Sequence, residues 1–264
     1  MAVQHNRAVL LAVDVGNTQT HLGAFRGEEL LEHWRFATVR ESTADELGAA
    51  LRNLLALRGL GFDDLDASII STTVPQLGPE WEHCAQHYLG HDMLVVGPKL
   101  KTGMPIRLDN PRELGPDRLV NAVAAHARFG GPCIVVDFGT ANTFDVVSAE
   151  GEYLGGIIAL GVEISLEALT ERAARLPKVD LEEPRALIGK STIEAIRSGV
   201  IYGVAAQVDG IVRRLRAELG EEAEAIATGG LAEHIVPYTE TIDEIDDLLT
   251  LTGLRLIHER NGDA

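Results

Sequence analysis

Residues 10–20 read Leu10-Leu11-Ala12-Val13-Asp14-Val15-Gly16-Asn17-Thr18-Gln19-Thr20. The apolar run predicts a short buried strand, and Asp14 stops the run at the end of that strand. Gly16 allows a tight turn, and the small polar residues after it, together with backbone N–H groups, can wrap phosphoryl oxygens. A carboxylate at Asp14 can hold a hydrated metal ion. The same residues also suit an ordinary hairpin turn.

A second copy of this pattern favours the phosphate site. It reads Ile134-Val135-Val136-Asp137-Phe138-Gly139-Thr140-Ala141-Asn142-Thr143, again a β-branched run that enters Asp-x-Gly and small polar residues. Asp14 and Asp137 are separated by 123 positions, as are the two glycines of the turns. This spacing indicates a repeat of domain size. Two similar lobes, each with an aspartate and a glycine turn, would clamp a nucleotide between them.

Composition and charge exclude several classes of protein. The chain has 264 residues, 45% of them hydrophobic, so it can bury a sizeable core. Its net charge of −17 argues against sequence-independent nucleic-acid binding, which requires positive charge. We expect no membrane partner, since no apolar run approaches the ~20 residues of a membrane span. Met1–Arg7 lacks the apolar centre of a signal peptide, and two isolated cysteines fit a reducing compartment, so the predicted location is cytoplasmic.

The rest of the chain predicts alternating strands and helices. Helix patterns begin after Ser42 or Thr43 and again at Gly78, and the tail carries apolar residues at helical spacing from Ile245 to Leu251. Further predicted elements are strand pairs at His21–Arg26 with Leu30–Phe36 and Cys133–Asp137 with Thr143–Ser148, strands at Ala67–Ser71 and Ala223–Ala227, and helices at Leu119–Phe129, Glu163–Arg175 and Ile193–Leu219.

A helix start follows the long polar loop in the middle of the chain. Gly115-Pro116-Asp117-Arg118 precedes the alanine- and valine-rich helix, and proline suits a first turn. Asp117 can simply cap that helix. On helix statistics alone capping is the more common case, but Arg118 beside it, at the end of a long loop, favours a ligand-binding role more than usual.

Several other motifs carry no function of their own. Gly189-Lys190-Ser191 resembles the end of a phosphate-binding P-loop, but that motif requires glycine where Pro184 stands. His83, His87 and His91 recur every four residues, yet a zinc protease requires glutamate at Cys84, so surface histidines are expected. There is no dinucleotide-binding glycine motif and no nucleophile elbow.

Four motifs in order identify a family resemblance. Asp14-Val15-Gly16-Asn17-Thr18, Gly115-Pro116-Asp117-Arg118, Asp137-Phe138-Gly139-Thr140-Ala141 and Thr228-Gly229-Gly230 together resemble type III pantothenate kinase, over Leu10 to about Asn261. The resemblance implies an α/β fold of two ribonuclease-H-like lobes in the actin-like superfamily of acetate and sugar kinases, with the nucleotide in the cleft between them. The lobes would span 1–129 and 130–264.

The resemblance also implies a reaction and a set of site residues. The γ-phosphoryl group of ATP would move to the primary hydroxyl of pantothenate, giving 4'-phosphopantothenate, the first step towards coenzyme A. The implied ATP contacts are Asp14, Val15, Gly16, Asn17, Thr18, Gln19, Thr20, His21 and Thr140. The implied pantothenate contacts are Gly115, Pro116, Asp117, Arg118 and Thr192. Asp14 would hold Mg²⁺ through water, Asp137 would hold a monovalent cation (K⁺ or NH₄⁺), and the protein would be a homodimer.

Physical reasoning assigns Asp117 the role of general base. An alcohol is a poor nucleophile, so a carboxylate within reach of its proton assists attack. Phosphoryl transfer otherwise requires positioning and charge compensation. Arg118 can compensate the phosphoryl charge or hold the substrate carboxylate, and the sequence leaves both roles open. Two residues depart from the family pattern: Leu108 stands where tyrosine commonly lies, and Leu160 where proline commonly precedes Gly161.

Two other functions compete with this one. The same fold can phosphorylate another small acceptor, because fold does not fix function. The chain could also be an inactive nucleotide-binding regulator. Retention of Asp14, Asp117 and Asp137 argues against a regulator, because an inactive site has no need of three carboxylates.

Overall fold

The structure is a computed structural model that describes residues 9–173, 176–220 and 222–262. The segment Met1–Arg7 and the predicted helix end at Arg175 lie outside the described residues. The described residues form two compact units. Unit 1 contains the described residues up to Gly103, Arg112–Ala124 and the described residues from Thr250, and unit 2 contains Met104–Pro111 and Ala125–Leu249. Each unit contains separate stretches of the chain, so the two units interleave in sequence. The assignment of the two lobes to 1–129 and 130–264 stays a prediction.

Unit 1 is built on a five-stranded sheet in the order β3-β2-β1-β4-β5. Its strands are β1 (Val9–Val15), β2 (Gln19–Arg26), β3 (Glu29–Ala37), β4 (Leu65–Thr72) and β5 (Leu94–Val95). The central strand β1 pairs antiparallel with β2 and parallel with β4. Asp14 therefore lies near the carboxyl end of the central strand, as the apolar run predicted.

Unit 2 repeats this arrangement in the order β10-β9-β6-β7-β8. Its strands are β6 (Cys133–Phe138), β7 (Ala141–Val147), β8 (Tyr153–Leu160), β9 (Glu224–Thr228) and β10 (Glu244–Ile245). The central strand β6 pairs antiparallel with β7 and parallel with β9. The internal repeat seen in the sequence is thus a repeat of the fold.

Seven helices occur in the described ranges together with the two sheets. They are α1 (Ala44–Ala56), α2 (Leu77–Cys84), α3 (Pro116–Phe129), α4 (Val162–Arg172), α5 (Thr192–Leu219), α6 (Ala232–Ile235) and α7 (Leu249–Asn261), with short 3₁₀ turns at Phe62–Asp64, Pro111–Glu113 and Val236–Tyr238. Thr43 caps α1 through a capping box with Glu46. A wide helical turn, Ala85–Leu89, continues α2.

Each sheet buries one apolar face under its own helices. In unit 1 the side chains of Val13, Val15 and Ile70 pack in one cluster with Leu51 and Trp81. Alternation along a strand then turns Asp14 to the opposite face. The corresponding cluster in unit 2 contains Val136 and Phe138. Asp137, which lies between them in sequence, therefore projects from the opposite face of its sheet.

One predicted element is different in the structure. Ile245 was expected to belong to a helical tail, but it lies in the two-residue strand β10, parallel to β9 at the sheet edge. The tail helix begins only at Leu249. Apolar spacing alone did not separate an edge strand from the helix that follows it.

In the described part of the chain, no helix combines the length and apolarity needed to cross a membrane.

Candidate active site

The turn after β1 is tight and closes on itself. The Gly16 N–H donates to the Gln19 carbonyl at 3.0 Å, and a Cβ at Gly16 would approach the same oxygen at 3.0 Å. The side chains of Asn17, Thr18 and Gln19 are exposed. The turn therefore presents small polar side chains to solvent, as a phosphate-binding turn requires.

Two residues next to this turn bear on the predicted set of ATP contacts. The Thr20 side chain is buried and its hydroxyl pairs with that of Thr38 at 2.9 Å, so it supports the turn from beneath. The exposed Arg40 donates from Nη2 to Asn17 Oδ1 at 3.3 Å. Arg40 adds a positive charge at the turn, and nothing in the spacing around it predicted this role.

Asp14 lies in a row of polar residues across the sheet of unit 1. Asp14 pairs with His21 on β2 and with Ser71 on β4, and His21 pairs with Arg35 on β3. Burial, followed by the charges of Arg35 and His33, lowers the pKa of His21 to about 4. A neutral imidazole therefore lies beside Asp14 at neutral pH. His21 is one of the residues predicted from the sequence, and Ser71 is not.

The start of α3 holds Asp117 against its own backbone. The helix begins at Pro116, and the Gly115 carbonyl accepts from the Leu119 N–H at 3.2 Å. A Cβ at Gly115 would lie 2.5 Å from Asp117 Oδ1, so the carboxylate folds back over the glycine. Burial raises the pKa of Asp117, while backbone N–H groups and the charge of Arg118 oppose the rise. A buried carboxylate with a raised pKa is a stronger base than an ordinary surface aspartate.

The Asp137 turn in unit 2 is packed by two glycines. Gly229 has a φ of 93°, and a Cβ there would lie 2.4 Å from Asp137 Oδ1. A Cβ at Gly161 would lie 2.1 Å from the Thr140 carbonyl oxygen. Thr140 itself is exposed. Thr228-Gly229-Gly230, a weak motif alone, therefore packs against the second aspartate turn within unit 2.

Hydroxyl oxygens flank Asp137 on both neighbouring strands. Asp137 pairs with Thr143 on β7 and with Thr228 on β9. The Thr143 hydroxyl donates to Asp145 Oδ2 at 3.1 Å, so its lone pairs remain available as acceptors. A carboxylate with hydroxyl oxygens beside it is the kind of donor set that hard cations prefer.

The remaining predicted site residue, Thr192, is the first residue of α5. Its side chain is exposed, and the preceding Ser191 caps the helix by accepting from the Glu194 N–H. Thr192 lines an apolar groove between α4 and α5 with Leu166, Leu169 and Ile196. Ser191 explains the Gly-Lys-Ser motif as a helix cap, because the motif ends where α5 begins.

The three spaced histidines do not form a metal site in the described ranges. His91 Nε2 lies 2.9 Å from the Ser68 hydroxyl, whereas the rings of His83 and His87 lie edge to face with their centroids 6.1 Å apart. No group of three or more His, Cys, Asp or Glu side chains able to hold a metal occurs among residues 9–173, 176–220 and 222–262.

Solved structures share the fold of this chain. Component A of the (R)-2-hydroxyglutaryl-CoA dehydratase of Acidaminococcus fermentans matches with a TM-score of 0.57 and 13% identity, over 96% of this chain and 99% of that one. A ROK hexokinase from Thermus thermophilus matches with a TM-score of 0.51 and 14% identity, over 97% and 100%. With the two repeated α/β sheets, these likenesses confirm the predicted actin-like fold class.

Sequence comparisons identify the family. The type III pantothenate kinase family profile matches residues 10–214. The type III pantothenate kinase of Moorella thermoacetica is 51% identical over 253 residues, which cover 96% of this chain and all of that one. That of Streptomyces avermitilis is 50% identical over 261 residues, covering 96% and 98%. The chain, with its four ordered motifs, therefore belongs to the type III pantothenate kinase family.

Proposed function

We propose that this chain transfers the γ-phosphoryl group of ATP to the primary hydroxyl of pantothenate, the first step towards coenzyme A, with Asp117 as the general base. Family membership over almost the whole chain supports the reaction. The observation that carries the role of Asp117 is the start of α3, where a carboxylate with a raised pKa folds over Gly115 beside Arg118.

The chemistry assigned to α3 follows from its geometry. Asp117 accepts the proton of the pantothenate hydroxyl as the oxygen attacks phosphorus. Arg118 stays within the same helix turn, where it holds the substrate carboxylate or compensates the phosphoryl charge. Gly115 leaves room for the Asp117 carboxylate, since any side chain there would collide with it. Pro116 fixes the backbone at the first turn of the helix.

We assign the nucleotide contacts to the glycine turn after β1 and to the corresponding turn after β6. We assign the triphosphate to Asp14–His21, where the turn exposes small polar groups and Arg40 adds positive charge. Asp14 would hold hydrated Mg²⁺, which neutralises phosphate charge when bound. Thr140, on the exposed turn of unit 2, would contact ATP as well.

A monovalent cation is assigned to Asp137. The carboxylate has hydroxyl-bearing threonines on both neighbouring strands, and Gly229 leaves room for it, because a Cβ at that position would lie 2.4 Å from Asp137 Oδ1. Oxygen donors of this kind suit K⁺ or NH₄⁺, either of which would supply positive charge when bound. Replacing Asp137 with asparagine should weaken the dependence of turnover on KCl more than it changes the Michaelis constant for pantothenate.

Two further assignments concern the assembly and the second substrate contact. Thr192, exposed at the start of α5, would contact pantothenate. We propose that the protein is a homodimer, which would cover large apolar side chains such as Leu187 and Ile188, now 64% and 74% exposed. We also propose that it acts in the cytoplasm. Light scattering after size-exclusion chromatography at micromolar concentration tests the dimer directly, since a monomeric mass would contradict it.

The decisive experiment compares Asp117→Asn with the wild type. With ATP, Mg²⁺, K⁺ and pantothenate, the variant should lose about 10²- to 10⁴-fold in turnover, the usual contribution of a general base. Asp63→Asn, at an exposed aspartate of unit 1, is the matched control and should keep wild-type turnover. Normal turnover of Asp117→Asn would remove this residue from the base role.

The same assay separates the competing functions. A panel of alcohol and carboxylate acceptors tests whether another small molecule is phosphorylated in place of pantothenate. Product from a different acceptor alone would retain the kinase and reject the substrate. Binding of ATP without turnover of any acceptor would favour an inactive regulator.

A further inference from the structure

Ser71 has a buried hydroxyl that the fold does not use. The residue lies near the carboxyl end of β4 and its side chain is fully buried. Its Oγ has no hydrogen-bond partner among the residues that the structure describes. A buried hydroxyl without a partner destabilises a protein by about 1–3 kcal/mol, so most buried polar groups are paired. Ser71 therefore calls for an explanation beyond packing.

The strand register places Ser71 beside the phosphate turn. Ser71 pairs with Asp14 across the parallel β1–β4 ladder, and Asp14 pairs with His21. Paired residues project from the same face of a sheet. The adjacent Ile70 packs in the core cluster on the opposite face. Ser71 is thus on the same face as Asp14 and His21, at the carboxyl ends of two parallel strands, which is where α/β sheets commonly bind ligands.

The chain locks the end of β4 in this position. The Thr73 N–H and hydroxyl both contact the Val15 carbonyl, at 3.0 and 3.2 Å. These bonds tie the exit of β4 to the exit of β1 immediately after Ser71 and Asp14. The unused hydroxyl is therefore held on a rigid element rather than on a mobile loop.

The chemistry of the row suits an anionic oxygen or bound water. The Ser71 hydroxyl can both donate to an oxygen and accept from water. A ligand oxygen beside Asp14 would satisfy it, and removal of the hydroxyl would cost affinity without costing a bond within the protein.

We propose that Ser71 is a further residue of the nucleotide site, whose hydroxyl hydrogen-bonds an oxygen of the magnesium–triphosphate group bordered by Asp14. That oxygen belongs either to a phosphoryl group or to water on the metal ion. The inference rests on the proposed function only in placing the magnesium nucleotide at Asp14. It does not depend on which acceptor is phosphorylated.

Ser71→Ala tests the inference by separating binding from stability. In the free protein the thermal midpoint should stay unchanged or rise, because the removed hydroxyl has no described partner. The dissociation constant of the non-hydrolysable analogue AMPPNP with Mg²⁺, measured by calorimetry, should increase about 5- to 10-fold, the size of one hydrogen bond. An unchanged dissociation constant, or a lower thermal midpoint with no loss of affinity, would overturn the proposal.

Ser68→Ala on the same strand is the matched control. Ser68 is equally buried but its hydroxyl bonds His91, and the residue pairs with Leu11, which packs in the core cluster. Its removal should lower the thermal midpoint and leave AMPPNP affinity unchanged. If Ser71→Ala behaved like Ser68→Ala, Ser71 would be structural and the proposal would fail.

Two further arms identify the oxygen and separate this inference from the main function. A loss of affinity only with Mg²⁺ would support the metal's water, and a loss also in EDTA would support a phosphoryl oxygen. A wild-type protein that binds AMPPNP but does not phosphorylate pantothenate would reject the acceptor and leave the Ser71 comparison valid. A wild-type protein that binds no magnesium nucleotide would overturn the inference.

Discussion

Asp117 combines a chemical role with a cost to stability. Burial raises its pKa in the folded protein above the unfolded value. Between these two pKa values the folded state binds more protons than the unfolded state, so stability falls as pH rises through this window. The charged form of the carboxylate, which the proposed base role requires, therefore destabilises the fold.

Asp117→Asn should consequently be more stable than the wild type at pH 7. The asparagine has no charge to desolvate, so the thermal midpoint should rise by a few degrees, where about 1 kcal/mol corresponds to 2–4 °C. The gain should shrink as pH falls through the raised pKa of Asp117, because the wild-type carboxyl then gains a proton and loses its charge. Thermal melts of both proteins from pH 4 to pH 8 measure it. A variant less stable than the wild type at pH 7 would show that hydrogen bonds to the carboxylate outweigh its burial.

His21 gives the opposite dependence on pH. Its pKa falls from 6.5 in the unfolded chain to about 4 in the fold, so the unfolded state binds the extra proton between these values. Stability is fully present above pH 6.5 and is lost as pH falls towards 4. His21→Gln should reduce this loss in the free energy of unfolding at acid pH, by no more than about 3 kcal/mol at 1.36 kcal/mol per pKa unit. Urea midpoints at pH 7, 5 and 4 measure the effect, with His87→Gln, at an exposed imidazole, as the control.

Among the connections between elements, Gly161 is the most crowded one near the site. It immediately precedes α4, and a Cβ would lie 2.1 Å from the Thr140 carbonyl oxygen and 2.8 Å from that of Gly139. Both neighbours are backbone atoms and cannot rotate away. Gly161→Ala should therefore destabilise unit 2 by roughly 2 kcal/mol or more, as overpacked sites do, and displace the turn that carries Thr140.

Gly203 provides the matched comparison for Gly161. It lies within α5, and a Cβ there would meet no atom within 4 Å. Gly203→Ala should stabilise the protein by about 0.5–1 kcal/mol through helix propensity alone. Denaturant midpoints of the two variants should move in opposite directions. Equal shifts would show that the close approach at Gly161 is relieved by backbone movement.

Local patterns predicted most elements because their signals lie within a few residues. The β1 and β6 strands follow from apolar runs that end at Asp14 and Asp137, and α1 follows from its capping box. β10 has only two residues, too few for a periodic pattern. Ile245 was assigned wrongly for this reason, because pairing with β9 decides its conformation.

The sequence motifs single out candidate site residues, but they do not reveal the neighbours of those residues in the fold. Asp14, Gly16 and Asp117 stand in recognisable local motifs. Ser71 pairs with Asp14 across 57 positions of sequence, and Arg40 reaches Asn17 across 23 positions through a side-chain hydrogen bond. Such neighbours depend on register, which a single sequence does not encode in any short pattern.

Unit 1 is assembled from segments that are far apart in the sequence. Its sheet comes from the first part of the chain, but α7 comes from the last part. Thr250 donates to the buried Asn121 at 2.7 Å, and a Cβ at Gly253 would lie 2.2 Å from the Val120 carbonyl. Asn261 exchanges hydrogen bonds with the backbone of Lys101. The end of the chain thus completes a unit whose strands are all encoded before residue 100.

This arrangement predicts where damage to α7 will appear. Leu251 is 2% exposed, and its Cδ1 lies 3.1 Å from the Cβ position of Gly23 on β2. Leu251→Ala should destabilise unit 1 by about 2–4 kcal/mol, as core truncations to alanine do. Hydrogen exchange followed by mass spectrometry should then show faster exchange in β1 and β2, with β6 and β9 unchanged, because exchange reports the stability of local units.

Ile235→Ala is the mirror control, since Ile235 is fully buried in the core cluster of unit 2. It should accelerate exchange in β6 and β9 and leave β1 and β2 protected. If the lobes instead followed the chain as 1–129 and 130–264, both residues would belong to the second lobe, and both variants would expose β6 and β9. Faster exchange in β6 and β9 for Leu251→Ala would therefore reject the interleaved units, whereas opposite patterns for the two variants would establish that α7 stabilises the sheet carrying Asp14.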